Sequence, residues 1–135
     1  MKIVINKCWG GFGVSAAGIK RYSEVSGIEL YPFTMDDNDV CTPITWEETL
    51  LVKPYNIHYS TKPIVNGKDD DDSYWYHRGI KREDVNLVRV VEELKELADG
   101  RYAKLKIVEI PDDVMWEIHD YDGMESVKET HRSWE

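Results

Sequence analysis

Residues 2–27 read KIVINKCWGGFGVSAAGIKRYSEVSG, and how this stretch folds decides the architecture. Ile3, Val4 and Ile5 form a short uninterrupted apolar run, as strands buried on both faces do. After the glycines, Ser15 is placed as an N-cap, because its hydroxyl can accept a hydrogen bond from an unpaired N–H of the first helical turn. Ala16, Ile19, Tyr22 and Val25 then recur at helical spacing, and Gly27 suits the left-handed residue that closes a helix. Residues 28–33 return as a second strand. Together these segments predict a β-α-β unit with a right-handed crossover.

The turn Gly10-Gly11-Phe12-Gly13 has two readings. Gly11-Phe12-Gly13-Val14-Ser15-Ala16 fits the pattern G-x-G-x-x-G/A between a strand and a helix. There, glycines let the backbone approach a pyrophosphate and the helix N-terminus offers free N–H groups. The rest of the dinucleotide fingerprint is missing. Tyr31-Pro32-Phe33 ends the second strand with no acid, Asp36 follows only later, and 135 residues leave no room for the remaining crossovers. No Gly-Lys-Ser/Thr follows, which excludes a P-loop. The other reading is a tight strand-to-helix connection.

Working outward, the clearest element is residues 84–99. Leu87, Val88, Val90, Val91, Leu94, Leu97 and Ala98 share one helical face, with Asp84 as N-cap and Gly100 as the stop. Residues 104–110 read as a strand ended by Pro111, and residues 114–119 alternate as another. Tyr121-Asp122-Gly123 reads as a turn, and residues 125–132 as a short terminal helix. In the middle, residues 34–43 are a polar loop, residues 45–52 a short helix or strand, and residues 56–60 and 74–76 strands. Asn66-Gly67 is the strongest local hairpin signal. The expected fold is α+β: a single mixed sheet of five or six strands packed by two main helices, starting with the β-α-β unit.

The chain has the length of one domain, 1–135, and is 41% hydrophobic, enough to bury a core. Residues 34–80 read as a variable insert of loops and short strands. No apolar run approaches the ~20 residues of a membrane span, and Met1-Lys2 leads directly into a strand rather than a signal segment. The expectation is a cytoplasmic protein without a membrane partner. Cys8 and Cys41 are too few for a disulfide framework and read as free thiols. Cys8 near a helix start is conceivable as a nucleophile, against the simpler reading of a small buried apolar residue.

The net charge of −9 is unevenly spread. Residues 1–34 carry +2, 35–72 carry −6, 73–111 carry +1 and 112–135 carry −6. Such a surface repels a nucleic-acid backbone, so general nucleic-acid binding is not expected. None of His58, His77, His119 and His131 has the spacing of zinc ligands. The run Asp69 to Asp72 lacks the spaced acids and the turn glycine of a cation loop. No metal or cofactor is therefore expected. Five tryptophans and eight tyrosines exceed what a modest core needs. They point to aromatic residues at an interface, and a homo-oligomer is the expectation.

The opening Met1-Lys2-Ile3-Val4-Ile5-Asn6-Lys7-Cys8 with Gly10-Gly11-Phe12-Gly13 resembles a family of small proteins widespread in tailed-phage genomes. The stretch Leu105-Lys106-Ile107-Val108-Glu109-Ile110-Pro111-Asp112-Asp113-Val114 is similar to the same family. So are Tyr121-Asp122-Gly123 and the ending His131-Arg132-Ser133-Trp134. The likeness covers about the first 30 and the last 55 residues and not residues 34–80. The chain departs from the family at Ser126, where relatives carry an aromatic. It also has Lys81-Arg82-Glu83-Asp84-Val85 in place of an Arg-Thr-Asp-Pro type helix start, although Arg82 and Asp84 still match. The resemblance implies a phage or prophage origin and an accessory, anti-defence role, without implying a reaction.

The motifs sit at loop ends: Gly10, Gly11, Phe12 and Gly13; Arg82; Tyr121 and Asp122; His131, Arg132 and Trp134. Were they to converge, they would offer N–H groups, guanidiniums and stacking rings to a phosphate-bearing, nucleotide-type ligand. Arg82 reads equally as the partner of a nearby acid, and Trp134 as a lid on the core. Asp120 and Asp122 stand two apart around a turn, as paired acids for hydrolysis or as solvated loop carboxylates. No nucleophile–base pair is visible, so catalysis is not expected. Two functions follow: sequestration of a small phosphate-bearing ligand, or an acidic inhibitor that binds the basic surface of a host protein through residues 35–72 and 112–135.

Overall fold

Ile3, Val4 and Ile5 lie in strand β1 (Lys2–Asn6) and are almost completely buried, as their continuous apolar run predicts. The computed structural model describes residues 1–130. Helix α1 (Ala16–Ser26) starts at Ser15, whose Oγ accepts the Gly18 N–H at 3.1 Å, and stops at Gly27 with φ 78°. Helix α2 (Val85–Leu94) starts at Asp84, whose carboxylate accepts the N–H groups of Asn86 and Leu87. It ends earlier than its apolar face suggests. Lys95 takes a positive φ of 53°, and residues Lys95–Ala98 tighten into a 3-10 turn. That departure lets Ala98 and Gly100 pair with the backbone of Ser15 and Gly13.

The fold is α+β with two helices, but the expected single mixed sheet does not form. The eight strands among the described residues make three separate sheets. β1 pairs antiparallel with β6 (Leu105–Glu109), Val4 opposite Ile107. β2 (Tyr31–Met35) belongs to a different, all-antiparallel sheet ordered β3-β2-β4-β5, with β3 (Cys41–Pro43), β4 (His58–Ser60) and β5 (Tyr74–Trp75). There is thus no β-α-β unit: α1 connects two sheets. The third sheet is the hairpin of β7 (Trp116–Tyr121) and β8 (Met124–Glu129), so residues 124–129 are strand and not the expected helix. Its turn is Asp122-Gly123, at φ 55° and 91°, the conformation that two-residue hairpins need. Such a turn returns the chain at once as a paired strand.

The physical reason for the division lies on the free edge of β1. In its antiparallel pair with β6, alternate residues of β1 turn their backbone groups away from the partner. Those of Val4 and the N–H of Asn6 are already taken. The Val4 N–H donates to the Arg82 carbonyl at 2.9 Å, the Val4 carbonyl accepts from Arg82 Nη1 at 3.3 Å, and the Asn6 N–H donates to Glu125 Oε1 at 2.8 Å. β8 approaches β1 through a side chain, not through its backbone.

The core collects Val4, Val14, Ile19, Leu30, Leu87, Val90, Val91 and Ala98 between the helices and β1. A chain of rings joins it to the four-stranded sheet: Tyr22 on Trp75, Trp75 on Tyr59, and Tyr59 stacked on Trp46, with centroids 5.8–6.1 Å apart. Arg21 of α1 binds Glu93 of α2 at 2.8 Å and so links the two helices, and Arg89 binds the same carboxylate from within α2.

Gly100 illustrates how tightly the connections pack. A Cβ there would lie 2.7 Å from the Gly13 carbonyl carbon, whereas one at Gly79 would meet nothing within 4 Å. Gly100→Ala is expected to cost about 1–3 kcal/mol in urea unfolding by overpacking, and Gly79→Ala to stay within about 0.5 kcal/mol of the parent.

Candidate functional site

The motifs expected to form a site do converge within the described residues, but around a buried knot. Arg82 forms a two-pronged ion pair with Glu125, Nη1 to Oε1 at 2.6 Å and Nη2 to Oε2 at 2.8 Å. The Glu125 side chain is 5% exposed and that of Arg82 18%. The guanidinium also lies 3.6 Å from the centre of the Phe12 ring, a cation–π contact. Asn6, fully buried, completes the knot. Its Nδ2 donates to the carbonyls of Cys8 and Gly123, and its Oδ1 accepts the N–H groups of Cys8 and Lys104. The amide supplies two N–H donors beside its acceptor oxygen, which an ionised carboxylate cannot, so Asn suits this position where Asp would not.

Arg82 and Phe12 are therefore engaged with the scaffold, and the guanidinium is spent on Glu125. The glycine turn is engaged too. Gly13 accepts the Gly100 N–H at 2.9 Å, and the Ser15 hydroxyl donates to the Leu97 carbonyl at 2.5 Å. A Cβ on Gly10 would collide with Tyr102, and one on Gly123 with the Trp9 carbonyl and the Gly11 nitrogen. Gly11, at φ 97°, has open space around it and is needed for its conformation. Asp122 is the positive-φ residue of the hairpin turn. His131, Arg132 and Trp134 lie outside the described residues.

What these close approaches leave on the surface is a group of rings. Trp9, Tyr102 and Tyr121 are 58%, 61% and 76% exposed. Trp9 and Tyr121 meet edge to face at 5.8 Å, and the Arg101 guanidinium lies 5.0 Å from the Tyr102 ring. Beside Tyr121 is a shallow depression of about 340 Å³ bordered by Lys7, His119 and Met124, with Glu125 beneath it. Tyr121 is among the residues the sequence singles out for a site. Trp9, Tyr102 and Arg101 are not, because nothing in their spacing marks them. The surplus of Trp and Tyr was the only signal. A second apolar knuckle, Leu50, Leu51 and Tyr55, is also strongly exposed, beside Glu47 and Glu48 in the acidic block of residues 35–72.

Among the described residues no group of three or more His, Cys, Asp or Glu is placed to hold a metal ion. No helix among them is long and apolar enough to cross a membrane. Compared with known proteins, the chain matches no family model, no curated protein and no solved structure.

His77 packs close to the glycine turn, its Nε2 about 4.0 Å from where a Cβ on Gly13 would stand. Burial, helped by the neighbouring Arg78 charge, holds its imidazole down to about 4. A base with a depressed folded pKa stabilises the fold fully above its unfolded value near 6.5, and that contribution fades as pH falls towards the folded one. Parent protein is expected to lose thermal stability between pH 6.5 and 4, and His77→Gln to lose less over the same window. Equal slopes in a melting-temperature series would count against the assignment.

Proposed function

We propose that this chain is a non-catalytic protein-binding module whose tip of Trp9, Tyr102 and Tyr121 docks on the basic surface of a partner protein. The observation that carries the reading is the edge-to-face pair of the exposed Trp9 and Tyr121 rings, with the exposed Tyr102 rooted against Gly10, the residue next to Trp9. Tryptophan, tyrosine and arginine are the residues that dominate binding energy at protein interfaces, and Arg101 stands with the rings. The hairpin that bears Tyr121 also carries Glu117, Asp120 and Asp122, within the −6 block of residues 112–135. Acids around an aromatic anchor favour a basic counterpart and speed its capture at low salt. In the phage or prophage setting implied by the resemblance of the chain's ends, the partner would be a host protein and the role anti-defence.

The alternative of a phosphate-bearing ligand has less behind it. Its best cation, Arg82, is neutralised by Glu125, and its glycines are taken up by packing. The two readings are separated by one pair of measurements. Thermal unfolding against a panel of nucleotides, dinucleotides and cyclic nucleotides is expected to show no shift. A ligand at one hundred times its Kd would add about 2.7 kcal/mol. Quantitative capture from host lysate should yield a partner that is lost with Trp9→Ala and Tyr121→Ala, weakens with added salt, and persists with Leu50→Ala. A nucleotide-dependent shift, or capture indifferent to Trp9 and Tyr121, would overturn the reading.

A further inference from the structure

We infer that two copies of this chain associate through the outer edges of their β7 strands, side by side and antiparallel about Ile118. The hairpin's geometry shows which backbone groups are on offer. Tyr121 and Met124 flank a two-residue turn, so Tyr121, His119 and Glu117 direct their N–H and C=O groups to β8. Trp116, Ile118 and Asp120 direct theirs outward. Among the described residues no strand pairs with that edge, and no hydrogen bond reaches those groups.

The occupant follows from what a second β7 would place opposite each residue. Antiparallel pairing about Ile118 sets Ile118 against the partner's Ile118 and Trp116 against the partner's Asp120, linked by about six backbone hydrogen bonds. On the other face, Glu117 stands opposite the partner's His119, and His119 opposite the partner's Glu117. Within one chain these two side chains already meet, His119 Nε2 to Glu117 Oε1 at 2.7 Å, and both are more than half exposed. The pairing would give each carboxylate a second imidazole. Shifting the register by one pairing step one way sets Glu117 against Glu117, and like charges directly opposite are unfavourable. Shifting it the other way sets His119 against His119 and loses both Glu117–His119 contacts across the seam. The strand is therefore complementary to itself in one register. Trp116 and Ile118, half-buried in the single chain, would extend their apolar face across the new seam.

The seam is narrow compared with a standard interface, so the association is expected to be reversible and concentration-dependent. Sedimentation velocity of the full chain over a wide concentration range should show a monomer–dimer equilibrium. Ile118→Pro removes the central outward N–H without touching the ladder to β8, because proline is tolerated on the solvent side of an edge strand. It should raise the dimer Kd about tenfold or more. His119→Glu puts carboxylate against carboxylate and should raise it about tenfold as well. Glu117→His combined with His119→Glu restores the unlike pairs and should return the parent Kd. If Ile118→Pro disturbs the hairpin, seen as altered circular dichroism, the exposed His119 and Glu117 variants still decide the matter. A chain that stays monomeric at about millimolar concentration, or a dimer indifferent to the Glu117 and His119 variants, would overturn the inference.

Discussion

The carboxylate of Glu125 receives both arms of the Arg82 guanidinium and the backbone N–H of Asn6. These contacts bring three parts of the chain to one point: β1, the residues before α2, and the β7–β8 hairpin. Together, the Glu125 carboxylate and the main-chain and side-chain groups of Arg82 occupy the place on the β1 edge where another strand would pair. A side-chain ion pair is less forgiving than a strand. Neither charge can be left alone in so dry a position without a large penalty, so each segment is held in place by the presence of the others.

The same convergence explains the surface above it. Gly10, Gly100 and Gly123 stand where any side chain would collide with backbone or with the root of a ring. Their smallness lets the turn after β1, the residues after α2 and the hairpin tip crowd together. Trp9 and Tyr121 meet edge to face on the surface there, and Tyr102 is exposed next to Gly10. The glycine turn is packed against Tyr102, Gly100 and the hairpin turn, with the Arg82–Glu125 pair against the Phe12 ring. Away from it, Arg21 of α1 pairs with Glu93 of α2 on the surface between the helices.

Much of this was legible in advance and some was not, for physical reasons. Local chemistry declared itself: the Ser15 and Asp84 caps, the Gly27 stop, the buried run of β1, and the turns at Asn66-Gly67 and Asp122-Gly123 all occur where their residue types require. Partnership did not. The apolar pattern of β1 is the same whether its second edge meets a strand or an ion pair, so a continuous sheet was the natural expectation. Residues 125–129 alternate too weakly to distinguish a strand from a helix, and only the hairpin turn decides it. Glu125 reads as one acid among 26, with nothing to mark it as the buried partner of a residue 43 positions earlier. Arg82 stood out, but its partner and its burial depend on the tertiary fold. Trp9 and Tyr102 were hidden for the same reason.

Arg82 and Glu125 act as one unit, and a double-mutant cycle in equilibrium unfolding tests this most directly. With Arg82→Met, Glu125→Leu and the double variant measured in urea, each single change should cost about 3–5 kcal/mol, because it strands the opposite charge in the interior. The double variant should cost little more than either, giving a coupling of about 2 kcal/mol or greater. Single costs that are small, or that add to within about 0.5 kcal/mol, would contradict the account and leave the β1 edge to be explained by packing alone.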